Sequence, residues 1–465
     1  MARYFKCTTN KSPIAYKCDE KMILTITARD TAMDITCNHI RWQIRTDDGK
    51  SSEGFGACEP GKPLVLESSI SRPGFVRITC TAYNDENAPD SSYDVLEASV
   101  GAEIEKLEYL DTVPADFDDY WGKIEKMVED FPIDVVYCEP VTYGVKPGFK
   151  AFDVRIATPE GRNASGYITI PDKPGKFPIN ATYIGYAICS APLTYNEDTI
   201  TGCFNAHGIE NGITRFDASR KYGEELKDYG LIDSENASNM TTYWRGVMIR
   251  NLIAAKYLKT LPEWDGKNFI VSGGSQGAFQ ATTVAAHDRD ATFLEINIPW
   301  FCNLGAENNG YMAGWRAHFA DGLRYFDTVA QATRVKCPVK ISAKLGDYVC
   351  PPSTTLTLYN SFKGIKSIDL LQAGTHGYNP HERDMYYLRY DPENPTGEVK
   401  KGKYRHFKGN EYQVIDVGFD SETCEEVVIY KALYGEGNIW VRPKYMFLEY
   451  TFHNNEYVKR FEYID

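Results

Sequence analysis

A chain of 465 residues exceeds what one ordinary core holds, so two or three domains are expected. Hydrophobic residues make up 43% and charged residues 25%, the balance of a globular protein in water. Lys and Arg total 51 against 64 Asp and Glu, a net charge of -13 with no basic run to offset it, which excludes nucleic acid as a partner.

Met1-Ala-Arg-Tyr-Phe-Lys-Cys runs straight into mixed polar sequence, without the apolar centre of a signal peptide. No 18-residue apolar run occurs, so no membrane span is expected and the expected location is cytoplasmic. The twelve cysteines are scattered from Cys7 to Cys424 with no C-x-x-C pair, which reads as small buried thiols in a reducing compartment and argues against structural zinc. Five of them, Cys7, Cys18, Cys37, Cys58 and Cys80, fall in the first 80 residues, where bridges would form in an exported protein.

Residues 1–104 carry alternating runs such as Ile23-Leu-Thr-Ile-Thr-Ala and Val76-Arg-Ile-Thr-Cys-Thr-Ala-Tyr, separated by turn clusters such as Thr46-Asp-Asp-Gly-Lys and Asn84-Asp-Glu-Asn-Ala-Pro-Asp. That texture predicts a small antiparallel, immunoglobulin-like β-sandwich that packs or orients rather than catalyses. At Pro114-Ala-Asp-Phe-Asp-Asp-Tyr-Trp a helix opens, since the free N–H groups of a first turn favour acidic side chains. Strands and helices then alternate over residues 105–395, the mark of a mostly parallel sheet with helices on both faces. Strands are expected at Asn180-Ala-Thr-Tyr, Asn268-Phe-Ile-Val-Ser, Pro338-Val-Lys-Ile-Ser-Ala and Ser367-Ile-Asp-Leu-Leu-Gln-Ala, and an amphipathic helix from Met240 to Leu258. Asp391-Pro-Glu-Asn-Pro-Thr-Gly-Glu reads as a linker, and residues 398–465, rich in Tyr, Val and Phe, as a small β-rich, barrel-like module.

Gly273-Gly-Ser275-Gln-Gly matches G-x-S-x-G between a β-branched strand and an Ala-rich helix, the strand–turn–helix of a nucleophile elbow in an α/β-hydrolase. The flanking glycines leave room for a tight, strained turn that lifts the hydroxyl above the sheet at a helix N-terminus. A serine hydroxyl needs a base, and the base an orienting carboxylate, in the chain order Ser, acid, His. Of the six histidines after Ser275, His287 lies on the elbow helix about three turns away, and His318, His406 and His453 lack a preceding strand–loop signal. His376, in Gly374-Thr-His-Gly-Tyr after a strand, is the expected base, with His381 as competitor, and Asp347, in Lys344-Leu-Gly-Asp-Tyr-Val-Cys-Pro-Pro after the preceding strand, is the expected acid. Two backbone N–H groups should hold the oxyanion: that of Gln276 and, after an earlier strand, that of Tyr186 in Ile184-Gly-Tyr-Ala. Trp300 and Phe301 are candidates for the substrate pocket wall.

The elbow, the Gly346-Asp347-Tyr-Val-Cys-Pro-Pro-Ser-Thr loop, Ile184-Gly-Tyr, Asn205-Ala-His-Gly-Ile, Tyr243-Trp-Arg-Gly and Pro299-Trp-Phe-Cys resemble acetyl xylan esterases and cephalosporin-C deacetylases, carbohydrate esterase family seven, over residues 105–390. The resemblance implies an α/β-hydrolase that removes acetyl groups from small acetylated saccharides without a cofactor, with Ser275, Asp347 and His376 as triad and Tyr186 and Gln276 as oxyanion donors. It leaves assembly into a homo-oligomer open. The family often has His-Gly-Tyr-Gly where this chain has Ile184-Gly-Tyr-Ala, and His-Glu where it has His376-Gly. Residues 400–465, with Gly402-Lys-Tyr-Arg-His-Phe, Ser421-Glu-Thr-Cys-Glu and Trp440-Val-Arg-Pro, are similar to a bacterial domain of unknown function (number 1653); Arg405, His406, Glu422, Glu425 and Arg442 there are candidates for a small binding face. The competing expectations are an esterase for feruloyl, antibiotic or peptide-linked esters, and a degenerate hydrolase that only binds carbohydrate.

Overall fold

The structure is a computed structural model that describes residues 5–30, 33–85, 87, 92–422, 425–453 and 456–464. Cys424 and most of the turn cluster at 84–90 lie outside the described residues. Ten strands form the central sheet: β1 (Val135–Pro140), β2 (Phe149–Ile156), β3 (Ala164–Pro171), β4 (Phe177–Tyr183), β5 (Ile200–Asn205), β6 (Trp264–Gly274), β7 (Ala291–Asn297), β8 (Val339–Lys344), β9 (Lys366–Leu371) and β10 (Met385–Tyr390). Their spatial order is β10-β9-β8-β7-β6-β4-β5-β3-β2-β1. From β9 across to β5 every pairing is parallel; at both margins (β10 on β9, and β5-β3-β2-β1) the pairings are antiparallel. The sheet is thus mixed, with a parallel centre, because the first strands are joined by connections too short for a helical crossover. Burial follows the same gradient: every residue of β5 is buried and every residue of the edge strand β1 is exposed.

Helices carry the apolar faces that cover this sheet. Phe117–Asp130 opens with Asp118 and Asp119 in its first turn and buries Phe117, Tyr120, Trp121, Ile124 and Val128, one stripe at helical spacing. Each such side chain contributes about 1.5–3 kcal/mol on burial, so the stripe docks the helix. Trp121 stacks on His287 with ring centroids 4.0 Å apart, which places that histidine in the core and away from the elbow. The helix expected to be amphipathic, Tyr243–Leu258, is buried nearly all round; even Arg245 and Arg250 are covered, the first paired to Glu160 and the second donating to the Ala206 carbonyl. Among the described residues no helix is long and apolar enough to cross a membrane.

Before the sheet, residues 5–102 form two four-stranded antiparallel sheets, one holding Phe5–Thr9, Met22–Asp30, Met33–Ile35 and Leu64–Ser68, the other Cys37–Thr46, Ser51–Cys58, Gly74–Tyr83 and Ser92–Ala102. Strict alternation of buried and half-buried residues along Met22–Asp30 builds their shared core, in which Cys7, Cys37, Cys58 and Cys80 sit. All the described cysteines are free thiols, and burial pushes Cys7 up to about 12. After the central sheet come a five-stranded antiparallel sheet and a two-stranded hairpin, docked on its β10 side by Tyr445 stacked on Tyr387 at 3.9 Å and on β7 by Phe293 against Phe452 and Tyr457. A cavity of about 220 Å³ remains at that junction, lined by Tyr390, Tyr450, Tyr457 and Phe461 among others.

The N-terminal sheets press on the central one at the loops after β8 and β9. Gly346 lies so close to strand Ser92–Ala102 that a Cβ there would stand 2.1 Å from the Glu97 carbonyl oxygen. The buried Gln372 side chain donates to the Ser99 carbonyl at 3.0 Å and accepts from the Ser99 N–H at 3.4 Å. Asp47 accepts from the Phe75 and Met312 N–H groups at 2.8 and 2.9 Å, and burial pushes its carboxyl up to about 6. Phe75 itself packs into the core of the central sheet rather than that of its own sheets. Gly346→Ala should therefore destabilise the protein by about 1–3 kcal/mol, the usual penalty of overpacking. Urea unfolding checks this, and a wild-type midpoint would remove the contact from the account.

Candidate active site

The turn after β6 carries Ser275 at φ 55° and ψ −121°, a conformation that L-residues seldom adopt. Its neighbours show why the sequence needs glycine at Gly273 and Gly277. A Cβ on Gly273 would lie 2.3 Å from the Gly277 carbonyl oxygen, and one on Gly277 would lie 2.0 Å from the Tyr183 carbonyl oxygen. Gly274, by contrast, has space. The strained residue is held by its N–H donating to Asn297 at 2.9 Å, while its carbonyl accepts from Ala278 at 2.9 Å and from Trp300 at 3.3 Å.

Asp347 and His376 follow β8 and β9, so both arrive at the carboxyl ends of parallel strands beside the elbow. His376 Nε2 lies 3.0 Å from Ser275 Oγ, and its Nδ1 lies 2.9 Å from Asp347 Oδ2. Asp347 is 1% exposed, and its Oδ1 accepts the N–H groups of Val349 and Cys350 at 2.8 Å each, which fixes the carboxylate before it meets the imidazole. The His376 loop is pinned from behind: Lys344 Nζ donates to the Thr375 carbonyl at 2.9 Å, and Gly346 N–H donates to Gly374 at 3.0 Å. Burial lowers the Lys344 pKa, with the Asp347 charge acting against it. His381, the competing candidate, is exposed and makes none of these contacts. His318 pairs with Asp233 at the surface, and His287 bonds Glu125 and Gln331 in the core.

The loop after β4 passes close to Ser275: a side chain on Gly185 would stand 3.8 Å from the Ser275 Cβ, Tyr186 follows Gly185 directly, and Gln276 opens the elbow helix. Gln280 Nε2 donates to the Ile184 carbonyl at 3.1 Å and approaches that of Gln276 at 3.4 Å. His207 Nε2 lies 3.0 Å from the Ala187 carbonyl, so it carries the proton, and Nδ1 accepts from Tyr243 Oη at 2.8 Å. The Tyr186 ring stacks on Tyr229 and meets Trp315 edge-on, centroids 4.3 and 4.7 Å apart.

Trp300 and Phe301 line a small space from a well-packed position. Each is 2% exposed and packed with Trp244 and Phe279, whereas Trp315, 40% exposed, and Tyr186 present rings near the surface. Trp300 still bears on the site through its amide and by donating its indole N–H to Trp315. Trp300, Phe301, Trp315, Val349, Cys350 and Pro351 are among the residues around a space of only about 10 Å³. The fully buried Cys350 thiol is within reach of the Ser275 hydroxyl, and burial pushes it well above the usual thiol range. Asp347, Cys350 and His376 have ligand atoms within 4.8 Å of one another, but a cation there would have to displace hydrogen bonds that already engage Asp347 and His376.

Tyr229, Gln280, Lys344, Gln372, His207 and Cys350 surround this constellation without any sequence signal that assigned them a role; Lys344, Gln372, His207 and Cys350 lie inside stretches quoted above, and Tyr229 and Gln280 stand in unremarkable ones. In the C-terminal sheet, Arg405 pairs with Glu411 and Arg442 donates to Tyr430, so these two are engaged locally.

The acetyl xylan esterase family model matches residues 100–306 and 316–391, and that of a protein family of unknown function, DUF1653, matches residues 402–463. An acetyl esterase, Axe7A, of Xylanibacter ruminicola is 27% identical over 337 residues, 67% of this chain and 72% of its own. Among solved structures, an acetyl xylan esterase from Paenibacillus sp. R4 is 19% identical over 60% of this chain and 94% of its own, with a TM-score of 0.49. A DUF1653 protein from Bordetella bronchiseptica is 29% identical over 14% of this chain and 88% of its own, with a TM-score of 0.14.

Burial depresses His207 from 6.5 to about 4, so the folded protein keeps it neutral where the unfolded chain would take up a proton. Its contribution to stability is complete above 6.5 and is lost as pH falls toward about 4, since the unfolded state then binds more protons. Asp47 and Asp327, pushed up to about 6, work in the opposite sense, so the comparison must be between variants. Denaturant unfolding from pH 7 to 5 should show His207→Gln with a pH slope smaller by up to about one proton, and an unchanged slope would refute the buried neutral imidazole.

Proposed function

Given that the chain belongs to the acetyl xylan esterase family, and is thereby a carboxylic ester hydrolase, we propose that it is a serine esterase that removes acetyl groups from acetylated sugars or xylo-oligosaccharides through an acyl-enzyme on Ser275. The observation that carries this reading is the continuous chain Ser275 Oγ to His376 Nε2 at 3.0 Å and His376 Nδ1 to Asp347 Oδ2 at 2.9 Å, mounted on a strained elbow. Ser275 Oγ attacks the acetyl carbonyl as His376 Nε2 takes its proton, and Asp347 holds the imidazole in the tautomer that can accept it. The carbonyl oxygen becomes an oxyanion held by the N–H groups of Tyr186 and Gln276. His376 returns the proton to the departing sugar oxygen. Water, deprotonated by the same nitrogen, then releases acetate and restores Ser275.

The preference for an acetyl group rests on the family to which the chain belongs. We assign residues 1–104 to an immunoglobulin-like sandwich, 105–395 to the hydrolase and 398–465 to the small β-rich module, and place the enzyme in the cytoplasm, acting on short saccharides.

Acetate release from acetylated xylo-oligosaccharides should fall on the order of 10⁴-fold or more in Ser275→Ala. p-Nitrophenyl acetate should be cleaved through the same serine, and p-nitrophenyl esters of longer acids far more slowly. Cleavage of p-nitrophenyl acetate with no release from the saccharides would sink the substrate class and leave the chemistry standing.

A further inference from the structure

Tyr229 is a buried residue outside every motif that carries the family resemblance, 2% exposed. It follows Asp228 at φ 52° and precedes Gly230 at φ 70°, so a left-handed residue flanks it on each side. This bend is anchored: the Gly230 carbonyl accepts from Trp244 Nε1 at 3.2 Å and Asn236 Nδ2 at 3.0 Å, and a Cβ on Gly230 would strike the Trp244 ring at 2.3 Å. The ring lies parallel to Tyr186, 9° apart at 4.3 Å, and edge-on to His207 at 4.3 Å.

Its hydroxyl makes two hydrogen bonds with opposite sense. It accepts the Ala187 N–H at 3.1 Å and donates to Gln276 Oε1 at 2.8 Å. Ala187 is the residue after Tyr186, and Gln276 is the residue after the nucleophile. One phenolic oxygen thus joins the two separate segments whose amides would face the reacting carbonyl. On the far side of the Tyr186 amide, Gln280 Nε2 reaches the Ile184 and Gln276 carbonyls, a second tie between the same segments. The donor pair is therefore stapled at 184 and again at 187. Burial drives the Tyr229 pKa upward, so the hydroxyl keeps the proton that it gives to Gln276. His207 completes the support by holding the Ala187 carbonyl.

We propose that Tyr229 is a positioning residue that fixes the spacing between the Tyr186 and Gln276 oxyanion donors, a role that rests on the reading of those two amides given above. An oxyanion hole works because its donors are already aimed where charge develops, and errors of about 1 Å can cost on the order of 100-fold in rate. Such a residue should be felt in the transition state and hardly at all in the bound ester.

The test is Tyr229→Phe in the full chain, which keeps the ring stack and removes the hydroxyl alone. kcat on p-nitrophenyl acetate should fall about 10-fold or more, with KM within about 2-fold, and the affinity for methylboronic acid, whose tetrahedral adduct on Ser275 mimics the oxyanion, should fall in parallel. Gln276→Met removes the partner oxygen and keeps the backbone N–H, so it should give a similar loss, and the double variant should be no worse than about 3-fold below the poorer single one. Wild-type kcat and boronate affinity in both variants would overturn the proposal, as would a lower melting temperature with boronate affinity unchanged. The underlying reading fails separately: if Ser275→Ala retained activity, the oxyanion hole itself would be misplaced, whatever Tyr229→Phe did.

Discussion

The site rests on one backbone crossing, where the first turn of the elbow helix passes over the end of β4 with no room for a side chain. Gly277 meets the Tyr183 carbonyl at a distance that excludes any Cβ, and Gly273 meets Gly277 in the same way. This contact forces Ser275 into its positive φ, and the same contact brings the loop after β4 beside the nucleophile. Strain of this sort costs about 1–3 kcal/mol and persists only where surrounding structure over-determines it. Here it is over-determined by the parallel pairing of β4 with β6 and β6 with β7, and by the hydrogen bond from Ser275 to Asn297 at the end of β7.

The parallel centre of the sheet turns sequence order into spatial convergence. Each strand from β4 to β9 ends at the same edge, so residues separated by some 190 positions meet without a long loop reaching across the molecule. The support behind that edge is polar and largely satisfied by backbone groups: Lys344, Gln280 and His207 each bind a carbonyl of a loop at that edge, and Gln372 ties its own loop to the Ser99 carbonyl of the N-terminal sheets. Such bonds are worth about 1 kcal/mol each in net stability, and their larger effect is to hold geometry, because breaking one leaves a buried carbonyl unpaired.

What the sequence disclosed follows from which signals are local. Gly273 to Gly277 is a steric requirement written in consecutive residues, and Asp347 and His376 stand directly after recognisable strands, so their meeting with Ser275 could be anticipated. The ring stacked on Tyr186 comes from Tyr229, which is 43 residues away and lies in a turn segment with no periodicity; only the fold brings it near. The sequence offers Trp300 and Phe301 as candidates for a pocket wall but does not say how far packing covers them; each is 2% exposed. The helix from Tyr243 reads as amphipathic because Arg245, Asn251 and Lys256 punctuate it, whereas packing covers most of them with carbonyls and carboxylates. The antiparallel margins of the sheet depend on connection lengths that alternating texture alone does not reveal.

The close approach of Gly346 to Glu97, and the pairing of Gln372 with Ser99, have a consequence for the order of events at the ribosome. Domains generally fold as units during synthesis, N-terminal first. The sheets of residues 5–102 leave the ribosome before the strands of the central sheet are complete, and the loops of Asp347 and His376 are among the last parts of that core to emerge. The surface against which Asp347 and His376 settle is thus finished before either residue is made, and the N-terminal sheets act as a mould for the loops that arrive later.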